Sequence, residues 1–243
     1  MLGTTLLSVF DTQSNFILAA LCVCALTAAT LALLLRNAEF ATQSQRLFSA
    51  FWVAAVTGVG VWTTHFVAMI GYRPDAALTY DLRLTMLSIL VGVTCVGLPV
   101  AAATLATSDR VKAGLGIAAG LGAAAMHLTG MTALENCAVA YNPFVLLLGT
   151  GLGIAGFVWA LMQDAADPDR QLHRAAGFVG GVCGLHFVAM ASVTLDQLPR
   201  ADYGVGGSFL SILVLIVSLG VFAGAMVATF NHRRKLALLR AGV

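Results

Sequence analysis

Seven runs of predominantly apolar residues follow one another along the 243-residue chain, separated by short polar connections. A helix that crosses a membrane needs about 20 mostly apolar residues, and each run reaches about that length. The pattern therefore predicts an all-α membrane protein of seven transmembrane helices in one domain, residues 1–243. The predicted spans cover residues 16–35, 47–71, 84–106, 113–134, 143–162, 175–195 and 208–230.

The composition agrees with a multi-pass protein of the lipid bilayer. Hydrophobic residues make up 59% of the chain and charged residues 10%, whereas soluble domains carry about 25% charged residues. The mean hydropathy is +0.91. The net charge of +2 gives no indication of a nucleic-acid partner. No positively charged segment precedes the first apolar run, so no cleaved signal peptide is expected.

The Lys and Arg residues of the connections lie mostly on one side of the predicted bundle. Cytoplasmic loops of membrane proteins are enriched in these residues. One side carries ten of them and the other carries three, Arg73, Arg83 and Arg200. We therefore predict that the N-terminus is outside and the C-terminus is cytoplasmic. The ten residues of the predicted cytoplasmic side are Arg36, Arg46, Arg110, Lys112, Arg170, Arg174, Arg233, Arg234, Lys235 and Arg240.

A histidine followed four residues later by a methionine occurs three times, at residues 65–69, 127–131 and 186–190. The histidines are 62 and 59 residues apart. Residues four apart lie on one face of a helix, so each copy presents an imidazole and a thioether in the same direction. All three copies fall on even-numbered predicted helices, eight to ten residues before the first charged residue of the outer end. We therefore predict three parallel helix-pair repeats plus a seventh helix, with the motifs at one depth near the outer face.

Small residues and one proline predict how the helices pack. Glycines four residues apart allow membrane helices to approach closely. Pro99 lies inside the third predicted span and predicts a kink there. The glycine pairs are Gly116 and Gly120, Gly177 and Gly181, Gly180 and Gly184, and Gly220 and Gly224.

Ionisable side chains inside membrane spans are costly and indicate a functional site. Imidazole and thioether ligands together suit copper that changes oxidation state, because thioether sulphur is a soft ligand for Cu(I). Zinc accepts three imidazoles but gains little from methionine. Two facing histidines could also hold a haem, for which this bundle has room only if its helices splay. Copper is therefore the predicted cofactor, ahead of zinc and haem. The predicted ligands are His65, His127, His186, Met69, Met131 and Met190, and Met126 and Cys183 are additional candidates.

The segments around the three histidines resemble the MHYT sensor domain of bacterial membrane signalling proteins. The best-matching stretch is residues 125–131, Ala-Met-His-Leu-Thr-Gly-Met. Residues 62–69 and 184–190 are similar to the first and third family motifs, and Tyr-Asp-Leu-Arg-Leu at 80–84 is also typical. The methionine before the histidine is present only as Met126. The positions of the motif tyrosine hold Phe66, Leu128 and Phe187.

This resemblance implies copper binding near the outer face and sensing of a diatomic gas, namely O2, CO or NO. It also implies a cytoplasmic output domain or signalling partner for cyclic di-GMP, and no such domain lies within residues 1–243. We therefore expect a sensor domain of the bacterial inner (plasma) membrane that responds to a gas, or to redox or copper state, and is not itself an enzyme. The alternatives are a copper transport or trafficking protein and a haem-binding membrane electron carrier.

Overall fold

The structure is a computed structural model that describes residues 2–38, 43–70, 78–163, 167–197 and 204–241. Within these ranges the chain forms helices with a few short strands. In chain order the elements are α1 (Leu2–Ala38), α2 (Gln43–Ile70), β1 (Thr79–Tyr80), α3 (Leu82–Val91), a π-helix (Gly92–Gly97), α4 (Leu98–Ala103), α5 (Asp109–Thr132), β2 (Cys137–Tyr141), α6 (Pro143–Met162), α7 (Pro168–Ala191), β3 (Val193–Gln197), β4 (Val205–Gly206) and α8 (Gly207–Ala241).

Seven helical segments of the described chain are long and apolar enough to cross a membrane, which confirms the seven predicted spans. The third span consists of α3, the π-helix and α4 in succession. The predicted sixth span was wrong at its C-terminal end, because α7 ends at Ala191 and Val193–Gln197 forms strand β3. The last residue of the predicted second span, Gly71, lies outside the described residues. The observed spans are Asn15–Leu35, Arg46–Ile70, Leu82–Ala103, Asp109–Thr132, Pro143–Met162, Asp169–Ala191 and Gly207–Asn231.

The three helices that carry the histidine motifs, α2, α5 and α7, contact one another at the centre of the bundle. Each gap between two of them is filled by another span. Helix α1 packs against α2 and α7, the π-helix packs against α2 and α5, and α6 packs against α5 and α7. Helix α8 packs against α1 and α2 from outside this ring. The arrangement is the ring of three helix pairs plus a seventh helix that the repeat predicts.

Two short antiparallel strand pairs connect the ends of the central helices. Strand β2 follows α5 and pairs with β3, which follows α7. Strand β1 follows α2, pairs with β4, and forms a further bridge from Tyr80 to Leu134 beyond α5. The C-terminal ends of α2, α5 and α7 therefore lie at the same end of the bundle, so the three helices are parallel.

The irregularity that Pro99 predicts in the third span is the π-helix, which ends two residues before the proline. Proline has no N–H group, so residue 99 cannot donate the α-helical hydrogen bond to the carbonyl four residues earlier, that of Cys95. This carbonyl lies against Gly122 of α5, where a side-chain carbon would overlap it. A side-chain carbon at Gly58 of α2 would likewise overlap the backbone of Val93. The π-helix therefore packs with its backbone directly on two of the three central helices.

Close approach at glycine was predicted at four pairs and occurs at two of them. The pair at Gly116 in α5 and the pair at Gly177 in α7 both lie against α6, where a side-chain carbon would come within 3.1 Å of its atoms. The prediction for the pair at Gly180 was wrong, and that for the pair at Gly220 holds only at Gly224, where a side-chain carbon would lie 2.6 Å from the Trp52 ring of α2. A side-chain carbon at Gly180 or Gly220 would meet nothing within 4 Å in the described part of the chain.

Candidate metal centre

His65 of α2, His127 of α5 and His186 of α7 converge with their Nδ1 atoms facing one another. Nδ1 of His65 lies 3.2 Å from Nδ1 of His186 and 3.1 Å from Nδ1 of His127. One ring nitrogen from each of the three residues lies within 4.8 Å of the other two. Among the residues that the structure describes, no other group of three or more His, Cys, Asp or Glu side chains is placed in this way.

The three imidazole rings are arranged symmetrically around the bundle axis. Their centroids are 4.9, 5.1 and 5.2 Å apart, and each pair of rings is close to perpendicular, with interplanar angles of 89°, 81° and 85°. Equivalent positions of three parallel helices supply the three imidazole rings. The rings therefore lie at the same depth, and each points toward the bundle axis. Such an arrangement can direct three nitrogen lone pairs at a single point.

The Nδ1 separations fit imidazoles that share one ion. With metal–nitrogen bonds of about 2.0 Å and a tetrahedral arrangement, the ligand nitrogens are about 3.3 Å apart. The observed separations of 3.2 and 3.1 Å are close to that value. Without an ion, each Nδ1–Nδ1 contact needs a proton on one atom and a lone pair on the other. A shared cation accepts all three lone pairs at once.

The three histidines are enclosed by protein, with at most 4% of any of them exposed. In the part of the chain that the structure describes, Nε2 of His65 and Nε2 of His127 have no hydrogen-bond partner. When Nδ1 supplies the lone pair, the proton of the neutral ring is on Nε2. Metal-binding histidines usually donate this second N–H to a partner. At this site side-chain packing, and not such a donor bond, holds the rings of His65 and His127.

Gly130 of α5 provides part of that packing. A side-chain carbon at Gly130 would lie 2.5 Å from Nε2 of His65 and 3.0 Å from its Cδ2. The His65 ring therefore occupies space that only glycine leaves free. The neighbouring Phe66 ring is edge-on to His65, with a centroid separation of 4.8 Å, and it stacks on Trp62 at 5.0 Å.

A small cavity of about 10 Å³ lies beside the three imidazoles. Such a volume holds about one water-sized particle. Its other walls are apolar. Val61, Ala123 and Val182, each one helical turn before a histidine, form part of them, together with Met126 and Leu185. A porphyrin does not fit in a space of this size.

The methionines divide into two groups by position. Met69, Met131 and Met190 are buried, with 1%, 0% and 6% exposed, but they are not among the residues that line the cavity beside the imidazoles. Met126 is also buried and does line that cavity. Met126 is therefore the thioether residue that the structure places next to the three rings, whereas the sequence pattern ranked it below the other three.

Cys183 is buried one helical turn before His186, and its sulphur does not belong to the group of mutually close ligand atoms. Instead its thiol lies next to the thiol of Cys24 in α1. Sequence reasoning missed Cys24, because nothing in a one-dimensional pattern pairs α1 with α7. His173, by contrast, is exposed near the start of α7, with Nδ1 3.1 Å from the carbonyl oxygen of Asp169.

Tyr80 covers the end of the bundle nearest the histidine motifs. Its ring lies 6.1 Å from that of Phe66, centroid to centroid, and 2% of the residue is exposed. Burial away from water, with a smaller effect of nearby Cys137, raises the pKa of the Tyr80 hydroxyl. The hydroxyl therefore stays protonated at physiological pH.

Comparison with known proteins identifies a family and several relatives. The MHYT model, described as a bacterial signalling protein N-terminal repeat, matches residues 58–118 and 180–242. The cyclic di-GMP phosphodiesterase NbdA of Pseudomonas aeruginosa is 34% identical over 164 residues, which are 60% of this chain and 20% of NbdA. The bifunctional diguanylate cyclase/cyclic di-GMP phosphodiesterase MucR of the same organism is 28% identical over 196 residues, 74% of this chain and 28% of MucR.

An uncharacterized signaling protein of Caulobacter vibrioides is 31% identical over 172 residues, 68% of this chain and 20% of that protein. The chain thus spans between a fifth and 28% of the length of these relatives. No solved structure matches it. The two ranges matched by the family model contain the motifs of His65 and His186 and together cover half of the chain. With its seven spans, its repeated motifs and these matches, the chain belongs to the MHYT family of bacterial signalling proteins.

Proposed function

We propose that this chain is a copper-binding sensor domain of the bacterial inner membrane, in which His65, His127 and His186 hold the metal ion. The single observation that carries the proposal is the convergence of three buried Nδ1 atoms, two pairs of which are 3.1 and 3.2 Å apart. A buried cluster of ionisable groups inside membrane spans is costly unless it has a function. A shared cation turns three facing lone pairs into three bonds.

Copper fits this donor set better than zinc does because a thioether borders the site. Imidazole suits both metals, whereas thioether sulphur favours Cu(I). Met126 lines the same cavity as the three histidines and is the proposed fourth, sulphur ligand in the absence of a gas. Met69, Met131 and Met190 are buried one helical turn beyond the histidines. They are the proposed additional thioether ligands.

The cavity beside the imidazoles fits a small neutral ligand. Three protein ligands leave an open coordination position, and bound copper supplies there a site for O2, CO or NO together with a one-electron change of oxidation state. Val61, Ala123 and Val182 wall the cavity with apolar side chains. Such walls exclude water and admit apolar diatomic molecules, so they support gas sensing over binding of an ionic ligand.

A ligand at this position acts on three helices at once. The histidines are on α2, α5 and α7, so a shift of any imidazole is passed to the packing of a central helix. The proposed output is cytoplasmic and concerns cyclic di-GMP, because two relatives are named as enzymes that make or degrade it. In this proposal the chain senses and a separate output domain or partner performs the catalysis.

Metal analysis of the purified protein tests the site. We expect about one copper bound in the histidine site per wild-type chain and less than about a tenth of that in the His65→Ala/His127→Ala/His186→Ala variant, because loss of three ligands leaves no chelate. His173→Ala is the matched control, since His173 is exposed and distant in sequence from the motifs. Equal occupancy of an imidazole-ligated site in the triple variant and the wild type would rule out the site. Preferential retention of zinc would overturn the choice of copper.

A further inference from the structure

A second cluster of potential metal ligands lies where α1 meets α2 and α7. The register of α1 against α2 is fixed by Gly60, where a side-chain carbon would overlap the Thr27 side chain. The two helices are antiparallel because they are consecutive spans. One turn from this contact toward the histidines, Cys24 of α1 therefore lies beside Thr64 of α2.

The register of α1 against α7 gives the same position for Cys24. Ala28 and Leu31 of α1 share one cavity wall with Ala175 and Phe178 of α7. Extending both helices by about one turn toward the histidines brings Cys24 opposite Cys183. The two packing registers thus agree with the surroundings of the Cys24 thiol, which lies next to the Cys183 thiol and the Thr64 hydroxyl.

The two thiols are buried and are not joined in a disulfide. Cys24 is 0% exposed and Cys183 is 6% exposed, and neither is in a disulfide. Cys22 and Cys95 are exposed free cysteines, so burial distinguishes the pair from other cysteines of the spans. Two soft sulphur donors that lie next to each other on different helices form a site that selects Cu(I) over harder metals.

We propose that Cys24 and Cys183 form a second metal site, a two-coordinate Cu(I) site distinct from the three histidines. On binding, one S–H bond breaks and its proton leaves to solvent. The resulting thiolate bonds the ion, and the remaining thiol donates a sulphur lone pair. No atom changes oxidation state. Cu(I) replaces one proton, so the net charge of the site stays at zero, and the apolar surroundings do not oppose binding as they oppose an added charge.

The two sites are close but separate. Cys183 precedes His186 by three residues, which is about 4.5 Å along the helix axis. The Cys183 sulphur nevertheless does not belong to the group of mutually close ligand atoms around the histidines. The thiol site joins α1 to α7, so its occupancy clamps α1 against the central helix that carries His186.

The test loads the purified full chain with chelator-buffered Cu(I) under anaerobic, reducing conditions. We expect about two Cu(I) per wild-type chain, one with imidazole and one with sulphur ligation in X-ray absorption. The Cys24→Ser/Cys183→Ser variant should bind about one, without the sulphur-only component. The triple histidine variant should also bind about one, with that component retained. Cys22→Ser/Cys95→Ser is the matched control and should bind as the wild type does.

A measurement on the unmodified chain keeps the test valid if a variant does not fold. Slow cysteine alkylation, followed by mass spectrometry over the hours in which local opening exposes buried thiols, should show that Cu(I) protects Cys24 and Cys183 at least about tenfold, while Cys22 and Cys95 react as before. Absence of protection together with one imidazole-bound copper would overturn the thiol site and leave the histidine site intact. Loss of imidazole-bound copper with thiol protection retained would overturn the histidine site alone.

Discussion

Gly130 is the residue on which the position of His65 depends most directly. Replacing it with alanine puts a carbon 2.5 Å from Nε2 of His65, so the ring must move away from the shared Nδ1 centre. Changes next to metal ligands typically lower metal affinity by about 10–100-fold. We therefore expect Gly130→Ala to weaken copper binding by about that factor while all three histidines remain present. Competition of the purified protein with a chelator of known affinity measures it.

Gly114→Ala is the control for this prediction. Gly114 lies on the same helix, and a side-chain carbon there would meet nothing within 4 Å in the described residues. It should leave copper affinity within about twofold of the wild type. Equal affinities of the two variants would contradict the view that packing at Gly130 orients His65.

The residues of the histidine cluster were predictable from sequence because they are repeated. A single His65 in an apolar run has several explanations, but three copies at one depth on parallel helices require convergence. The choice of nitrogen was not predictable, since whether Nδ1 or Nε2 faces the axis depends on side-chain rotation. The position of Met126 beside the cavity, ahead of the other candidate methionines, was not predictable either. Consecutive residues of a helix point about 100° apart, and only helix packing decides which side chains face the cavity.

At the scale of elements, α6 and α7 illustrate how glycine sets helix distance. A side-chain carbon at Gly156 of α6 would overlap the backbone of Gly181 of α7, so the two backbones are in direct contact. In Gly156→Ala the helices must separate, and overpacking of this kind costs about 1–3 kcal/mol. We expect a lower thermal midpoint of the detergent-solubilised protein, followed by circular dichroism.

Gly151→Ala on the same helix provides the comparison. The position is exposed, and a side-chain carbon there would contact nothing within 4 Å among the described residues. Its midpoint should equal or slightly exceed that of the wild type, because alanine has the higher helix propensity. A Gly156→Ala variant as stable as Gly151→Ala would show that α6 and α7 are not packed backbone to backbone.

Helices were predictable as elements, but the short strands and the π-helix were not. Val193 and Thr194 are β-branched and favour a strand, yet residues 193–195 directly continue an apolar run, and this pattern is also typical of the end of a helix. Strand β3 exists because β2 lies beside it, which is a tertiary effect. The π-helix is likewise stabilised by its contacts with Gly58 and Gly122, and the sequence around Pro99 indicates only that some irregularity occurs.

At the scale of the whole molecule, the ring of three helix pairs explains why a 60-residue repeat produces one site. Each pair contributes one central helix, and the three central helices meet where their motifs are level. The strand pairs beyond their C-terminal ends cover that end of the bundle with backbone hydrogen bonds. The strand pairs therefore close the end of the bundle that lies beyond the histidines.

Orientation in the membrane is the remaining prediction at this scale, and it rests on charge. The side of the chain that carries ten Lys and Arg residues should face the cytoplasm, against three on the other side, because cytoplasmic loops retain such residues. A fluorescent protein that matures only in the cytoplasm should therefore be bright when fused after Val243, and a periplasmic phosphatase fused there should be inactive. Fusions truncated after Ala133, beyond α5, should give the reverse result and serve as the matched comparison. A bright signal after Ala133 with a dark one after Val243 would place the histidine cluster near the cytoplasmic face and overturn the predicted orientation.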